Sequence, residues 1–217
     1  MIVLSEWEAK RRLGEGLPVP AERLTTSVDE AIAFATEHAP AHVVAKASGV
    51  AHKTEGGLVR LGLDVDGVAA CWSELAAAGD GQVLVAEQVR GEYELLVGGL
   101  RDDVFGPVVS VGVGGVTAEL DPDVAFCLAP PLPGELDAAL GQLRAAPLLD
   151  GFRGGPPLDR GAFAELVAAV ARVLEDPAVT EIDCNPVVVR GGLPVVLDAL
   201  VVLGDPDHAT PVTEDRP

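Results

Sequence analysis

The chain has 217 residues, 48% of them hydrophobic and 23% charged, with a formal net charge of −19 at pH 7. That length suffices for one large domain or two small ones sharing a core. So acidic a surface repels nucleic-acid phosphates, and no apolar run is long enough to span a bilayer, so neither nucleic acid nor membrane is expected as a partner.

Ser5 with Glu8 makes a capping-box pattern that predicts a helix ending near residues 14–18, and Ser27 with Glu30 repeats it before the alanine-rich stretch 31–37. Residues 43–48 read as a strand, followed by a polar, glycine-bearing loop over 49–57, a strand over 58–64 and helical spacing over 68–78. A second block begins with strands over 82–89, 93–100 and 107–111, the last running into Gly112, Gly114 and Gly115. Amphipathic helices are predicted over 135–144 and 160–175, then strands over 179–189 and 195–202 joined by a turn at 190–194. This order indicates an α+β chain in two lobes, 1–81 and 82–203, with mostly antiparallel strands. The polar tail over 204–217 is expected to be disordered. No basic segment followed by an apolar stretch opens the chain, so no secretion signal is expected. Cys71, Cys127 and Cys184 are odd in number and lack metal-ligand spacing; they read as buried thiols in a reducing cytoplasm.

Three segments carry the residues suited to chemistry. In the C-terminal hairpin, strand alternation puts Glu181, Asp183 and Asn185 on one face, and Asp198 on the returning strand is placed to meet it. Carboxylates packed together resist burial without a cation, and an all-oxygen set suits Mg2+ rather than zinc. A solvated polar face on an edge strand would explain the same pattern, although the flanking residues are strongly apolar. In the second segment Glu87 and Glu94 bracket a break between two strands. Backbone groups at such a hinge can read an adenine edge, and a carboxylate beside it can accept bonds from ribose hydroxyls; a surface hairpin with ordinary charges is the plainer account. The third segment holds Lys46, His52 and Lys53 on a glycine-flanked loop, two of the chain's three lysines lying seven residues apart. That is a local positive focus suited to phosphate contact and phosphoryl relay, unless the lysines cluster by chance and His52 is an ordinary surface residue. There is no G-x-x-x-x-G-K-[ST] motif, and the cluster at 112–115 lacks the third glycine of a dinucleotide fingerprint.

Taken in order, the segments resemble one family. Lys46, His52-Lys53-Thr54-Glu55-Gly56-Gly57, Glu87, Glu94 with Gly98-Gly99, Arg101-Asp102, Phe105-Gly106-Pro107 and Gly112-Val113-Gly114-Gly115 follow its pattern. So do Leu148-Leu149-Asp150-Gly151, Arg153-Gly154, Pro156-Pro157 with Asp159, and Glu181-Ile182-Asp183-Cys184-Asn185-Pro186. Over residues 1 to about 203 the chain resembles the ATP-grasp module of ADP-forming acetyl-CoA (acyl-CoA) synthetases, which occurs as a β subunit or as a fused domain. The resemblance implies an ATP-grasp fold with the nucleotide between two lobes. It also implies a ligase subunit that binds ATP/ADP and works with a CoA-binding α subunit, separate or fused, through which the small carboxylic acid and CoA enter. By the same resemblance Lys46 and Lys53 contact phosphates, Glu87 and the backbone of Gln88 and Val89 hold adenine, and Glu94 holds the ribose. Gly114 and Gly115 join the nucleotide site, Asn185 and Asp198 ligate Mg2+ with Asp183 beside them, and His52 is a phosphate relay. Two departures motivate a second reading, a catalytically weakened nucleotide-binding regulatory module. Cys127 lies in a stretch where the family usually has an arginine, and the segment between Lys46 and His52 is about two residues short. Arg101 or Arg153 would then have to supply the missing charge.

Overall fold

The computed structural model of the chain describes residues 1–50, 53, 56–115 and 122–204. Its elements in chain order are β1 (Ile2–Val3), α1 (Glu6–Leu13), β2 (Glu22–Thr25), α2 (Val28–His38), β3 (Val43–Ala47), β4 (Val59–Leu63), α3 (Val65–Ala78), β5 (Val83–Glu87), β6 (Tyr93–Asp102) and β7 (Gly106–Val113). There follow β8 (Val124–Leu128), α4 (Glu135–Gln142), α5 (Ala146–Leu149), a 3-10 turn (Phe152–Gly154), α6 (Arg160–Val173), β9 (Val179–Arg190), β10 (Leu193–Val196) and β11 (Leu200–Leu203). His52 and the tail from residue 205 lie outside the described residues.

The helices begin where side chains satisfy first-turn amides. Ser5 accepts from the Glu8 amide while the Glu8 carboxylate accepts from the Ser5 amide, completing the expected box. Ser27 caps α2 through the Glu30 amide, Asp64 caps α3 through Gly67, and Asp159 caps α6 through Ala162. Along α6, Phe163, Leu166, Val167, Val170 and Ala171 recur at helical spacing and are buried under the larger sheet. Burying Phe163 alone stabilises by roughly 1.5–3 kcal/mol.

Among the described residues eleven strands form two antiparallel sheets. The larger runs β1-β11-β9-β6-β7-β8, with β10 also pairing β9; the smaller runs β2-β5-β3-β4. One apolar core lies between the larger sheet, α1 and α6, and a second between the smaller sheet, α2 and α3. The α+β, ATP-grasp-like arrangement expected from the sequence is therefore present, with the smaller sheet taking β5 and the larger taking β1 and α1. Among the described residues no helix is long and apolar enough to cross a membrane.

Two expectations are corrected. β1, β2 and β8 were not anticipated: Ile2–Val3 is a two-residue exposed edge strand, Glu22–Thr25 is a half-buried edge strand without apolar alternation, and Val124–Leu128 is apolar on both faces. The strand expected over 195–202 is two strands. β9 pairs β10 along Val187 to Arg190 and β11 along Val179 to Asp183, so the chain steps from one partner register to the other at 197–199. Asp198 therefore sits in an interruption, not on a strand, a break hidden by the apolar residues around it.

Candidate active site

Alternation along β3 sends Val43, Ala45 and Ala47 into the smaller core and turns Lys46 to the opposite face. Val44, Leu84 and Ala86 share that face by register and are buried outside the core, forming an apolar floor. Lys46 Nζ donates to Glu6 Oε1 at 2.7 Å and to the Leu197 carbonyl at 2.7 Å. Lys53 Nζ donates to Glu6 Oε2 at 2.5 Å and to Asp198 Oδ1 at 3.3 Å. Lys10 Nζ donates to Glu6 Oε1 at 2.8 Å, Glu22 Oε2 at 2.6 Å and the Leu197 carbonyl at 3.2 Å. All three lysines of the chain thus meet at one buried carboxylate.

The electrostatics follow from that crowding. Burial alone would raise the Glu6 carboxyl, but Lys46, Lys10 and Lys53 outweigh it and hold the group well below the usual carboxylate range. Burial would lower Lys10, but Glu6 and Glu22 outweigh it and raise the ammonium above its ordinary value. Because α1 packs on the larger core while Lys46 belongs to the smaller sheet, the cluster ties the two sheets together. Sequence reasoning missed Glu6 and Lys10, reading them only as part of a capped helix. The available signal was their spacing: with Ala9 and Leu13 they lie on one buried helix face, an ion pair set in an apolar stripe.

Beside the cluster, Asp183 faces away from the core between buried Ile182 and Cys184. Burial, then Asp198 and Glu181, push its carboxyl up to about 6. Asp198 is also raised, by burial and then Glu6, against Lys46 and Lys53. Asn185 Oδ1 accepts from the Gly115 amide at 3.1 Å. Among the described residues no three His, Cys, Asp or Glu side chains converge closely enough to enclose a metal. The expected four-membered cradle thus reduces to Asp183, Asp198 and Asn185, with exposed Glu181 contributing only its charge. Two carboxylates and an amide, with uncompensated negative charge at Asp183, fit a hard divalent cation.

The remaining expected residues border this region. The Gly114 amide donates to the Glu94 carbonyl at 2.9 Å. Gly115, at φ +73°, packs so closely on Glu94 that a Cβ would lie 1.9 Å from Oε2. A cavity of about 220 Å³ opens there, lined by Tyr93, Glu94, Leu95, Val113, Gly114 and Leu148 among others. At the other end of β9, Arg190 pairs with Glu87 at 3.6 Å. The Gln88 amide donates to the His42 carbonyl at 3.0 Å and its side chain accepts from the Gly62 amide at 2.8 Å. Of the expected hinge amides, Val89 alone makes no hydrogen bond among the described residues.

Cys127 faces the larger core at 5% exposure, its thiol raised by burial and then by Glu135, so its side chain is turned away from the face bearing Asp183. Phe126 occupies that face instead, in register with Ser110 and Gly98 beside Asp183. Of the two proposed substitute charges, Arg101 is engaged elsewhere, donating to the Leu174 and Asp176 carbonyls at the end of α6, while exposed Arg153 lies over the Phe152 ring at 5.2 Å.

Residues 2–203 match the ATP-grasp domain family, and the chain belongs to it. Within that family it is similar to the β subunit of acetate–CoA ligase [ADP-forming] II of Pyrococcus furiosus, with 30% identity over 213 residues, 91% of this chain and 90% of that one. It is also 35% identical over 221 residues to a trans-feruloyl-CoA synthase of an unknown prokaryotic organism, covering 93% of this chain but 30% of the relative. The chain is thus about the length of a separate subunit and a third of the longer relative. Among solved structures it is similar to the dinucleotide-forming acetyl-coenzyme A synthetase 1 of Ca. Korarchaeum cryptofilum in complex with coenzyme A and Ca-AMPCP, with a TM-score of 0.83, 33% identity and 93% coverage of both chains. A second structure of that synthetase holds Mg-AMPPCP, with a phosphohistidine segment pointing towards the nucleotide-binding site; its TM-score is 0.78 at 33% identity and 92% coverage of both chains.

Proposed function

We propose that the chain is the ATP/ADP-binding half of an ADP-forming acyl-CoA synthetase, exchanging phosphoryl between nucleotide and a histidine relay shared with a CoA-binding partner. One observation carries this reading: from the side of the smaller sheet Lys53 donates to Asp198 and Lys46 to the neighbouring Leu197 carbonyl, both in the interruption of the larger sheet, beside Asp183. Cationic donors from one side and oxygen donors from the other are what a phosphate chain with its cation requires.

Adenine would lie on the floor of Val44, Leu84 and Ala86, read by the Val89 amide, with Glu87 and Gln88 shaping the hinge and Glu94 taking the ribose beside Gly114 and Gly115. Lys46 and Lys53 would bind phosphate oxygens and hold the transferred group in line. Asp183, Asp198 and Asn185 would hold Mg2+, which when bound screens phosphate charge. His52 is proposed to relay the phosphoryl group. The lobes are taken as 1–81 and 82–203 in outline, with α1 and β1 crossing to the larger sheet and β5 to the smaller. The partner is a CoA-binding α subunit, as a separate chain or a fused domain, that brings the small carboxylic acid and CoA. Three unpaired, buried thiols suit a reducing cytoplasm.

The test is incubation with γ-labelled ATP and Mg2+, with and without a CoA-binding partner chain, comparing wild type with His52→Ala. Partner-dependent transfer of label that disappears in the variant supports the reading. Transfer that persists in His52→Ala removes that residue from the relay, and failure to bind nucleotide at all removes the proposal.

A further inference from the structure

Each lysine ammonium carries three N–H donors, so the cluster can be accounted for donor by donor. Lys10 has three acceptors, Glu6, Glu22 and the Leu197 carbonyl, and is saturated. Lys46 has two, Glu6 and the Leu197 carbonyl, and Lys53 has two, Glu6 and Asp198. Among the described residues one donor therefore remains on Lys46 and one on Lys53, the two lysines not on α1. Their ammonium groups are fixed to opposite oxygens of a single carboxylate, Lys46 on Oε1 and Lys53 on Oε2. Their spacing is thus set by Glu6 and not by the rotamers of two flexible four-carbon chains. Their second anchors, the Leu197 carbonyl and Asp198, come from the interruption between β10 and β11 in the larger sheet. The two ammonium groups that keep a donor thus share one carboxylate, and Lys53 also bonds Asp198, one of the oxygen donors of the candidate cation site.

We propose that Glu6 is a positioning residue that aligns Lys46 and Lys53 as a paired receptor for the terminal phosphates of the nucleotide, with Lys10 as the strut that holds Glu6 in place; this rests on the nucleotide reading above. Without the Glu6 charge the two ammonium groups repel each other, and Lys53 is drawn wholly to Asp198, taking a carboxylate from the cation site. The loss falls on the phosphates and not on the nucleoside, which lies on other residues.

The experiment compares wild type with Glu6→Gln, with the charge-balanced Glu6→Gln/Lys10→Met, and with Glu6→Asp. Binding of Mg·ADP and of adenosine is measured by competition against a fluorescent nucleotide, with far-UV circular dichroism reporting the fold. Loss of charge-assisted contacts predicts Mg·ADP weakened by about ten-fold or more in both glutamine variants, with adenosine changed by less than about two-fold. Glu6→Asp, which keeps the charge with a shorter reach, should recover part of the loss. If Glu6→Gln fails to fold, the charge-balanced pair and Glu6→Asp decide the matter. Mg·ADP affinity unchanged in the folded variants, or a parallel loss of adenosine, overturns the positioning role while leaving the nucleotide reading intact. Wild type that binds neither ligand overturns both.

Discussion

In cation-free protein, replacing Asp183 by Asn should stabilise the fold at neutral pH. The carboxyl is pushed from its ordinary 3.8 to about 6 by burial, Asp198 and Glu181. Holding it ionised therefore costs about 3 kcal/mol by linkage, and water reaching its partly exposed edge reduces that to about 1–2 kcal/mol. The sign is fixed by the direction of the shift. Below 3.8 the group is protonated whether the chain is folded or not; between 3.8 and about 6 only the folded chain keeps the proton, so stability falls as pH rises; above about 6 the whole cost is present. The advantage of Asn should be largest at pH 7.5 and nearly gone at pH 4. Urea unfolding in EDTA at both pH values measures it, and for a chain of this size about 1 kcal/mol moves Tm by roughly 2–4 °C. Mg2+ with ADP should reverse the order, stabilising wild type and barely affecting the variant. An Asn variant no more stable than wild type at pH 7.5 in chelator, or one whose advantage persists at pH 4, refutes the reasoning.

Gly115→Ala forces a side chain onto a residue at φ +73° and drives the Glu94 carboxylate aside. The backbone cost is about 1–2 kcal/mol, so thermal denaturation should show Tm lower by roughly 2–8 °C, and titration should show Mg·ADP bound about ten-fold more weakly. Undiminished binding would mean Glu94 has no part in holding the nucleotide. The thiols give an independent check on packing: Cys184 is pushed up to about 12 by burial and then Asp183, and burial also raises Cys71 and Cys127. At pH 8 the native chain should leave all three unlabelled by Ellman's reagent and release all three in guanidinium; rapid native labelling would contradict the buried assignment.

The parts legible in the sequence were those written in local periodicity. Ser5 and Ser27 announced their helices because a cap and its first turn lie within a few residues. The alternation of Glu181, Asp183 and Asn185 against Ile182 and Cys184 placed three polar side chains on one face for the same reason. What remained hidden depended on contacts between distant segments. Glu6 meets Lys53 across 47 positions, and nothing near Glu6 in the chain foretells it. The break that frees Asp198 from a strand arises because β9 is long enough to pair two shorter strands in succession. The doubt raised by Cys127 assumed a side chain facing the site, whereas strand register turns it inward and exposes Phe126.

With Lys10, Lys46 and Lys53 all folded inside, every basic side chain at the surface is an arginine or a histidine. Acyl phosphates and thioesters, the reactive species an acyl-CoA synthetase handles, spontaneously acylate exposed amines. With all three lysines buried, this fold presents such electrophiles with no solvent-exposed lysine amine.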